Sequence, residues 1–402
     1  MFGSVYTGLS GLIAFSRGLD VISNNVANLN TPGYKGSDLL FRDLFYRYQL
    51  SEDAGGQTIA SQVGTGVSTD GTSLRFQQGD LQETGNATDV AIDGNGFFIL
   101  RSGADSFYTR AGQFEFDTDG YLVARGTDAR VAGIDASGNL SDISLTGLRT
   151  NPPVPTTEVV LRNNLLAGST THEVTDIKIV DSLGGSHTLK MTFTNNSVAL
   201  RSWLVNIIDE SGVEVATDAE IRFSGDGTPA EGFNTITVNY KPDEAEGVDI
   251  NFLFGEPGSM DGATSFSTAT ASTLDFDSEN GVPAGVLLST AFDSDGVLTI
   301  QYTNGEESSS SRLALAWFND LQSMRQIGHG MFLASGSEDA IVAAANESVM
   351  GKVVGQNVEI SNVDLTREFT DLIVVQRGYQ ASSQVLTVSN EMMQELLDTG
   401  RQ

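Results

Sequence analysis

The sequence contains no cysteine, which excludes disulfides, thiolate nucleophiles and Cys-ligated zinc or iron–sulfur sites. Bases are scarce: 22 Lys and Arg stand against 52 Asp and Glu in 402 residues, a formal net charge of −30. Such a balance makes nucleic acid or an anionic membrane surface a poor partner. No apolar run approaches the roughly 20 residues of a membrane-spanning helix, so membrane insertion is not expected. The basic region, apolar run and cleavage site of an ordinary signal peptide are also missing. Only three histidines occur, and His172, His187 and His329 show no metal-ligand spacing. No serine sits in a nucleophile-elbow phrase. Gly94-Asn95-Gly96 lacks the helix and downstream acid of a dinucleotide site. Carboxylates are too abundant for any pair of them to mark a glycosidase. No catalytic, cofactor or metal residue emerges, and the chain is expected not to be an enzyme.

What is present is concentrated at the two ends. Met1, Val5, Gly8, Leu12, Phe15, Leu19, Ile22 and Val26 fall on alternating steps of four and three, an apolar seam along one side of a helix. Gly3, Gly8, Gly11 and Gly18 weaken that helix, each at roughly 1 kcal/mol against alanine. The Asn-rich run SNNVANLNTPGYK (residues 23–35) then stops it at Thr-Pro-Gly. At the other end, Leu365, Phe369, Leu372, Tyr379, Leu386, Met393 and Leu397 repeat the pattern, with Gln376, Ser383 and Asn390 at the seam positions between. Residues 364–398 hold no proline and one glycine, Gly378, which predicts a single long helix. The two stripes allow parallel or antiparallel pairing; the alternative is two amphipathic helices laid on a globular core.

The middle is β in grammar. Val90-Ala91-Ile92, Phe97-Phe98-Ile99-Leu100, Phe114-Glu115-Phe116 and Tyr121-Leu122-Val123 are short apolar runs separated by Asp-Gly and Asn-Gly turns. The phrase Asp117-Thr118-Asp119-Gly120 recurs at Asp293–Gly296, but position twelve of each loop is Asp128 or Asn304, so a calcium loop fails and turns remain. Asn151-Pro152-Pro153-Val154-Pro155 is a stiff domain boundary. Beyond it, segments 159–165, 173–180, 188–194, 203–208, 219–223 and 235–240 read as strands of a sandwich or barrel. Residues 151–281 carry 20 acids against six bases, whereas the first 37 carry only Arg17, Asp20 and Lys35. Packed ends and a solvated outer domain are one reading; an acidic, loop-rich insertion is the other.

The motif at residues 23–35 resembles the one shared by bacterial flagellar rod and hook proteins. Glu359-Ile360-Ser361-Asn362-Val363-Asp364-Leu365 with Gln376-Arg377-Gly378-Tyr379-Gln380 is similar to that family's C-terminal motif. Residues 89–98 and 108–112 resemble its core β domain, and the whole resemblance covers roughly residues 1–150 and 282–402. It implies a mixed fold: paired, coiled-coil-like terminal helices with nested, inserted all-β domains. The expected division is 1–30 helix, 31–71 connecting segment, 72–150 and 282–362 inner β domain, 151–281 inserted outer domain and 363–402 helix. For residues 36–71 the residues alone suggest a short amphipathic or extended segment followed by a flexible loop from Ser51; a connector and a plain linker are equally open. The insertion favours a hook subunit over a distal rod subunit; a secreted β-rich adhesin or carbohydrate-binding protein is the alternative from another class.

The resemblance further implies a homo-oligomeric helical tube, outside the cell, exported by the flagellar export apparatus without a cleaved signal peptide. It would act as a flexible universal joint passing motor torque from rod to filament. Distal rod, hook-cap and hook–filament junction proteins are the implied partners. Leu12, Phe15, Leu19, Ile22, Val26, Leu365, Phe369, Leu372, Leu386 and Met393 are the candidate inner-core assembly residues; Asn24, Asn25, Asn28, Thr31, Pro32, Gly33 and Tyr34 are the motif residues.

Overall fold

The structure, a computed structural model, describes residues 2–52, 58–103, 105–135, 137–242, 245–267, 270–334 and 340–399. The chain divides into two compact units, Met1–Thr146 with Thr290–Thr299 and Ser309–Gln402, and Gly147–Ser289 with Ile300–Ser308.

In the first unit, helix α1 (Phe2–Ala27) and helix α2 (Leu365–Thr399) pack side by side. Ser389 Oγ lies 3.3 Å from Ser4 Oγ, Gly8 faces Leu386, Gly11 faces Ser382, Phe15 faces Gly378 and Gly18 faces Val375. Asn25 Nδ2 donates to Glu368 Oε2 at 3.2 Å. One number rises as the other falls, so the helices are antiparallel. Three of the four glycines that weaken α1, Gly8, Gly11 and Gly18, are therefore also places where the two helices approach closely. A Cβ on Gly378 would lie 2.5 Å from the Phe15 ring, and one on Gly11 would lie 2.7 Å from Ser382 Oγ.

The seam on α2 differs from the one expected. Gln376, Tyr379, Ser383 and Asn390 are exposed, and the line facing α1 runs instead through Glu368, Val375, Gly378, Ser382, Leu386, Ser389 and Met393. Periodicity picks out the greasiest stripe; close packing selects the stripe with the smallest side chains. Met1, also placed in the seam, lies outside the described residues.

Residues 37–43 are extended, as one of the two readings had it, but in place of a flexible loop the chain forms two nested antiparallel ladders. Ser37–Asp43 pairs with Val67–Leu74, and Tyr46–Glu52 with Thr58–Gly64. Part of the loop expectation falls on residues 53–57, outside the described ones. The strand Thr58–Gly64 (TIASQVG) has no clean apolar alternation, so pattern alone could not find it.

Of the expected hairpins, Phe114–Phe116 with Leu122–Ala124 forms, whereas the run at Val90 does not pair with its neighbour at Phe97. Phe97–Ser102 pairs with Asp105–Thr109 on one side and with Arg130–Ile134 on the other. Phe97 meets Phe76 and Phe332 edge-on, and Phe76 and Phe332 are tilted against each other, all at 5.8–6.0 Å between centroids. The two Asp-x-Asp-Gly phrases are turns: Asp117 Oδ1 accepts from Tyr121 N at 2.8 Å, and Asp293 Oδ1 accepts from Val297 N at 2.8 Å. The chain returning toward α2 is stitched to the start of the body, Lys352–Gly355 pairing with Val90–Asp93 and Asn357–Glu359 with Leu81–Glu83.

The second unit is a β-sandwich. One sheet is the antiparallel meander Thr171–Val180, Ser186–Asn195, Ser202–Asp209, Glu214–Arg222. The other holds Thr235–Tyr240, Val248–Leu253, Glu158–Asn164, Ala263–Thr264 and Asp275–Glu279, with parallel pairing where Glu158–Asn164 meets Val248–Leu253. Val174, Leu189, Trp203 and Ile221 from the first sheet share one core with Val159, Ile236 and Phe252 from the second.

The glycine seam sets the first prediction. Gly378→Val should lower the thermal stability of the helical part by about 1–3 kcal/mol, the usual range for overpacking. Gly3→Ala, with nothing within 4 Å of its added Cβ, should be neutral or gain up to about 1 kcal/mol. Far-UV circular dichroism melts distinguish them, and equal behaviour would remove close approach as the role of Gly378.

Candidate functional site at the junction of the two termini

Past Ala27 the chain makes a turn closed by Tyr34 N donating to Thr31 O at 3.2 Å. Pro32 presets the first central position, and Gly33 supplies the positive φ of +68° that the second demands. The space is as restrictive as the angle: a Cβ on Gly33 would lie 2.4 Å from Ala111 N.

The asparagines that end the helix also hold this turn. Asn24 Nδ2 donates to Tyr34 Oη at 3.0 Å, and Asn28 Nδ2 donates to Asn24 O at 2.9 Å. Thr31 Oγ1 donates to Asn28 Oδ1 at 3.1 Å. Asn25, buried, binds both polar groups of Ser37, its Nδ2 donating to Ser37 O at 2.9 Å and its Oδ1 accepting from Ser37 N at 3.0 Å.

Behind the turn lies a buried charge cluster. Lys35 Nζ donates to Glu359 Oε1 at 2.5 Å and to Gln77 O at 2.8 Å, and Arg110 Nη1 donates to Glu359 Oε2 at 3.3 Å. Gly79 N adds a third donor to that carboxylate at 2.8 Å, while Gly33 N donates to the Glu359 backbone O at 2.7 Å. The Lys35 and Glu359 side chains are 1% and 0% exposed, so neither charge could remain without the other. Burial pushes the Lys35 ammonium and the Arg110 guanidinium below their ordinary values, with Glu359 opposing the shift in both. Burial raises the Tyr34 phenol. A second pair, Arg75 with Glu368 at 2.5 Å, carries the network onto α2. Asn362 completes it, accepting from Gly36 N at 2.9 Å and donating to Arg75 O at 2.7 Å and Gln77 O at 2.9 Å.

This arrangement holds a fold together. Every oxygen of Glu359 is engaged by a donor, and its side chain is fully buried. Among the described residues, no group of three His, Cys, Asp or Glu is placed to hold a metal ion.

The structure brings Asn24, Asn25, Asn28, Thr31, Pro32, Gly33 and Tyr34 together in this junction. Of the candidate assembly residues, Ile22 is buried and Leu12, Phe15, Leu19, Val26, Leu372, Leu386 and Met393 are half-buried. Leu365 and Phe369 are exposed. Sequence reasoning missed Arg75 and Glu368 altogether and assigned no role to Lys35, Arg110, Glu359 or Asn362. A usable signal existed: Lys35 is one of only three charges in the first 37 residues, and a lone charge in such a stretch calls for a buried partner.

Four family models match the chain: Flagella basal body rod protein over residues 5–35, Flagellar hook protein FlgE/F/G D1 domain over 91–146, Flagellar basal body protein FlaE D2 domain over 148–329 and Flagellar basal body rod FlgEFG protein C-terminal over 354–399. Flagellar hook protein FlgE of Treponema pallidum (strain Nichols) is 30% identical over 469 residues, covering 100% of both chains. Flagellar hook protein FlgE of Escherichia coli (strain K12) is 28% identical over 421 residues, 97% of this chain and 98% of that one. The crystal structure of Helicobacter pylori flagellar hook protein FlgE2 covers 69% of this chain and 100% of its own at 14% identity and a TM-score of 0.45, a likeness too loose to carry weight.

Removing the carboxylate charge tests the junction. Glu359→Gln should cost about 3–5 kcal/mol in denaturant unfolding, because it leaves Lys35 and Arg110 buried without a counterion. Lys35→Met should then cost less in the Glu359→Gln background than alone. Independent, additive losses would mean that the two groups are not coupled.

Proposed function

The chain belongs to the flagellar hook protein family, with a relative 30% identical over the whole of both chains, and on that premise we propose that identical copies of this hook subunit assemble into a helical tube. The end-to-end likeness to hook proteins decides against a distal rod subunit and against a secreted adhesin. The family is a structural one, and its place is the flagellum.

The observation that supports assembly is the outer surface of the helix pair. Tyr6, Leu9 and Ile13 on α1 and Phe369, Ile373 and Val374 on α2 are all exposed, at 47–61%. Each such side chain gains about 1.5–3 kcal/mol when fully buried, so a surface this apolar is suited to covering by further copies. Leu365 and Phe369 belong to that outward surface and are assigned to contacts between copies. Leu12, Phe15, Leu19, Ile22, Val26, Leu372, Leu386 and Met393 are assigned to the contact within one copy. Contacts that join different patches do not close on themselves and generate a helix.

The rest of the proposal follows from the family. Copies leave the cell through the flagellar export apparatus without a cleaved leader. They meet distal rod, hook-cap and hook–filament junction proteins, and the finished tube acts as a flexible joint that transmits torque.

Electron microscopy of concentrated protein tests the assembly step. The full chain should give short curved tubes. The double variant Ile13→Asp/Val374→Asp should keep its helix content, since neither side chain lies in the internal seam, and form no tubes. A chain lacking residues 1–30 and 364–402 should also form none. Equal assembly by the shortened chain would overturn the reading.

A further inference from the structure

We infer that Asn95 is a site of spontaneous deamidation, whose isoaspartyl product loosens the stitching of the returning chain to the β body of the first unit. The inference is independent of the assembly proposed above.

An asparagine followed by glycine is the step most open to this chemistry, because glycine has no Cβ to hold its nitrogen away from the asparagine side chain. The chain has three such steps, Asn95-Gly96, Asn280-Gly281 and Asn304-Gly305. The fold separates them. Asn280 Oδ1 accepts from Thr157 N at 2.9 Å and from Glu158 N at 3.0 Å, and its Nδ2 donates to Thr157 Oγ1 at 2.8 Å. Asn304 Nδ2 donates to Pro283 O at 2.9 Å, and its Oδ1 accepts from Glu306 N at 3.1 Å. The nitrogen that would attack it is also engaged, Gly305 N donating to Tyr302 O at 3.1 Å. Both amides must leave these partners before they can turn toward the following nitrogen. Asn95 is exposed, and its side chain has no hydrogen-bond partner among the described residues. It stands between Gly94 and Gly96, at φ +116° and +125°, in the bend that joins Val90–Asp93 to Phe97–Ser102.

In the reaction Gly96 N attacks Asn95 Cγ. The new N–Cγ bond replaces the Cγ–Nδ2 bond, and the Gly96 N–H proton leaves with the side-chain nitrogen as ammonia. Water then opens the ring. Attack at Cγ gives aspartate, and attack at the backbone carbonyl gives isoaspartate, with the main chain longer by a methylene between the Asn95 Cα and Gly96 N. Both products add a carboxylate, but only the second changes the backbone. The bend has little slack to take it up. Gly94 N donates to Gln78 Oε1 at 3.1 Å, Arg110 Nη2 donates to Gly94 O at 2.9 Å, and Gly351 N donates to Asn95 O at 2.7 Å. A Cβ on Gly351 would lie 2.4 Å from Asp93 O. The extra methylene therefore displaces the Gly351 contact, which adjoins the ladder of Lys352–Gly355 with Val90–Asp93.

Peptide mapping by mass spectrometry tests the site on the full chain held at mildly alkaline pH, where the Gly96 proton is lost more readily. Asn95 should convert to the acid at least about tenfold faster than Asn280 or Asn304, whose hydrogen bonds must break first. In denaturant the three rates should converge, because the fold no longer separates them. Asn95→Gln, whose longer side chain disfavours ring closure, should keep the fold and lose the fast conversion. Conversion at Asn95 that is no faster than at the other two sites in the folded chain would overturn the assignment. For the consequence, the isoaspartyl chain should melt at a lower temperature than Asn95→Asp, which carries the same charge on a backbone of normal length. Equal melting would overturn the loosening of the stitch.

Discussion

A single carboxylate links the three parts of the first unit. Glu359 reaches back 324 residues to Lys35 and 249 residues to Arg110, while its backbone carbonyl accepts from Gly33 and its strand pairs with Leu81–Glu83. Two cations and one anion sit out of water, and such an arrangement persists only while every member is in place. The turn after α1, the β body and the approach to α2 are therefore one cooperative element. Together with the Arg75–Glu368 pair, it fixes the direction in which the two helices leave the body.

That direction matters because the helix pair is built for proximity more than for intrinsic stability. Gly8, Gly11 and Gly18 lower helix propensity, yet each stands opposite a specific residue of α2. The close approach recovers dispersion contacts that a bulkier seam would forfeit. It also leaves the larger apolar side chains on the outside, a costly choice for an isolated molecule and a sensible one for a subunit.

Much of this was legible in the sequence. Both helices, the stop after Ala27 and most strands of the second unit follow from periodicity and turn chemistry, because Ile236, Val238 and Tyr240 alternate inward with Thr235, Thr237 and Asn239 outward. What escaped detection did so for identifiable reasons. The phase of the α2 seam was misread because a hydrophobicity pattern cannot weigh Gly378 or Ser382 against Tyr379. Asp275–Glu279 (DFDSE) is not among the strands read from the sequence, because its acids mask the alternation. In the junction, the motif marked the right region, but the partners of Lys35 lie tens to hundreds of residues away, and no local pattern reports a pairing over that distance.

The exposed apolar surface of the helix pair also sets a scale for the proposed assembly. Tyr6, Leu9, Ile13, Phe369, Ile373 and Val374 are each about half exposed, so covering them would contribute on the order of 5–9 kcal/mol per copy, about half of the usual 1.5–3 kcal/mol per side chain. Association itself costs an estimated 4–15 kcal/mol. Two copies alone would therefore pair only marginally, whereas a copy held by several neighbours at once meets that cost once and gains from every contact. A surface of this size suits a subunit that stays monomeric until it reaches a growing end.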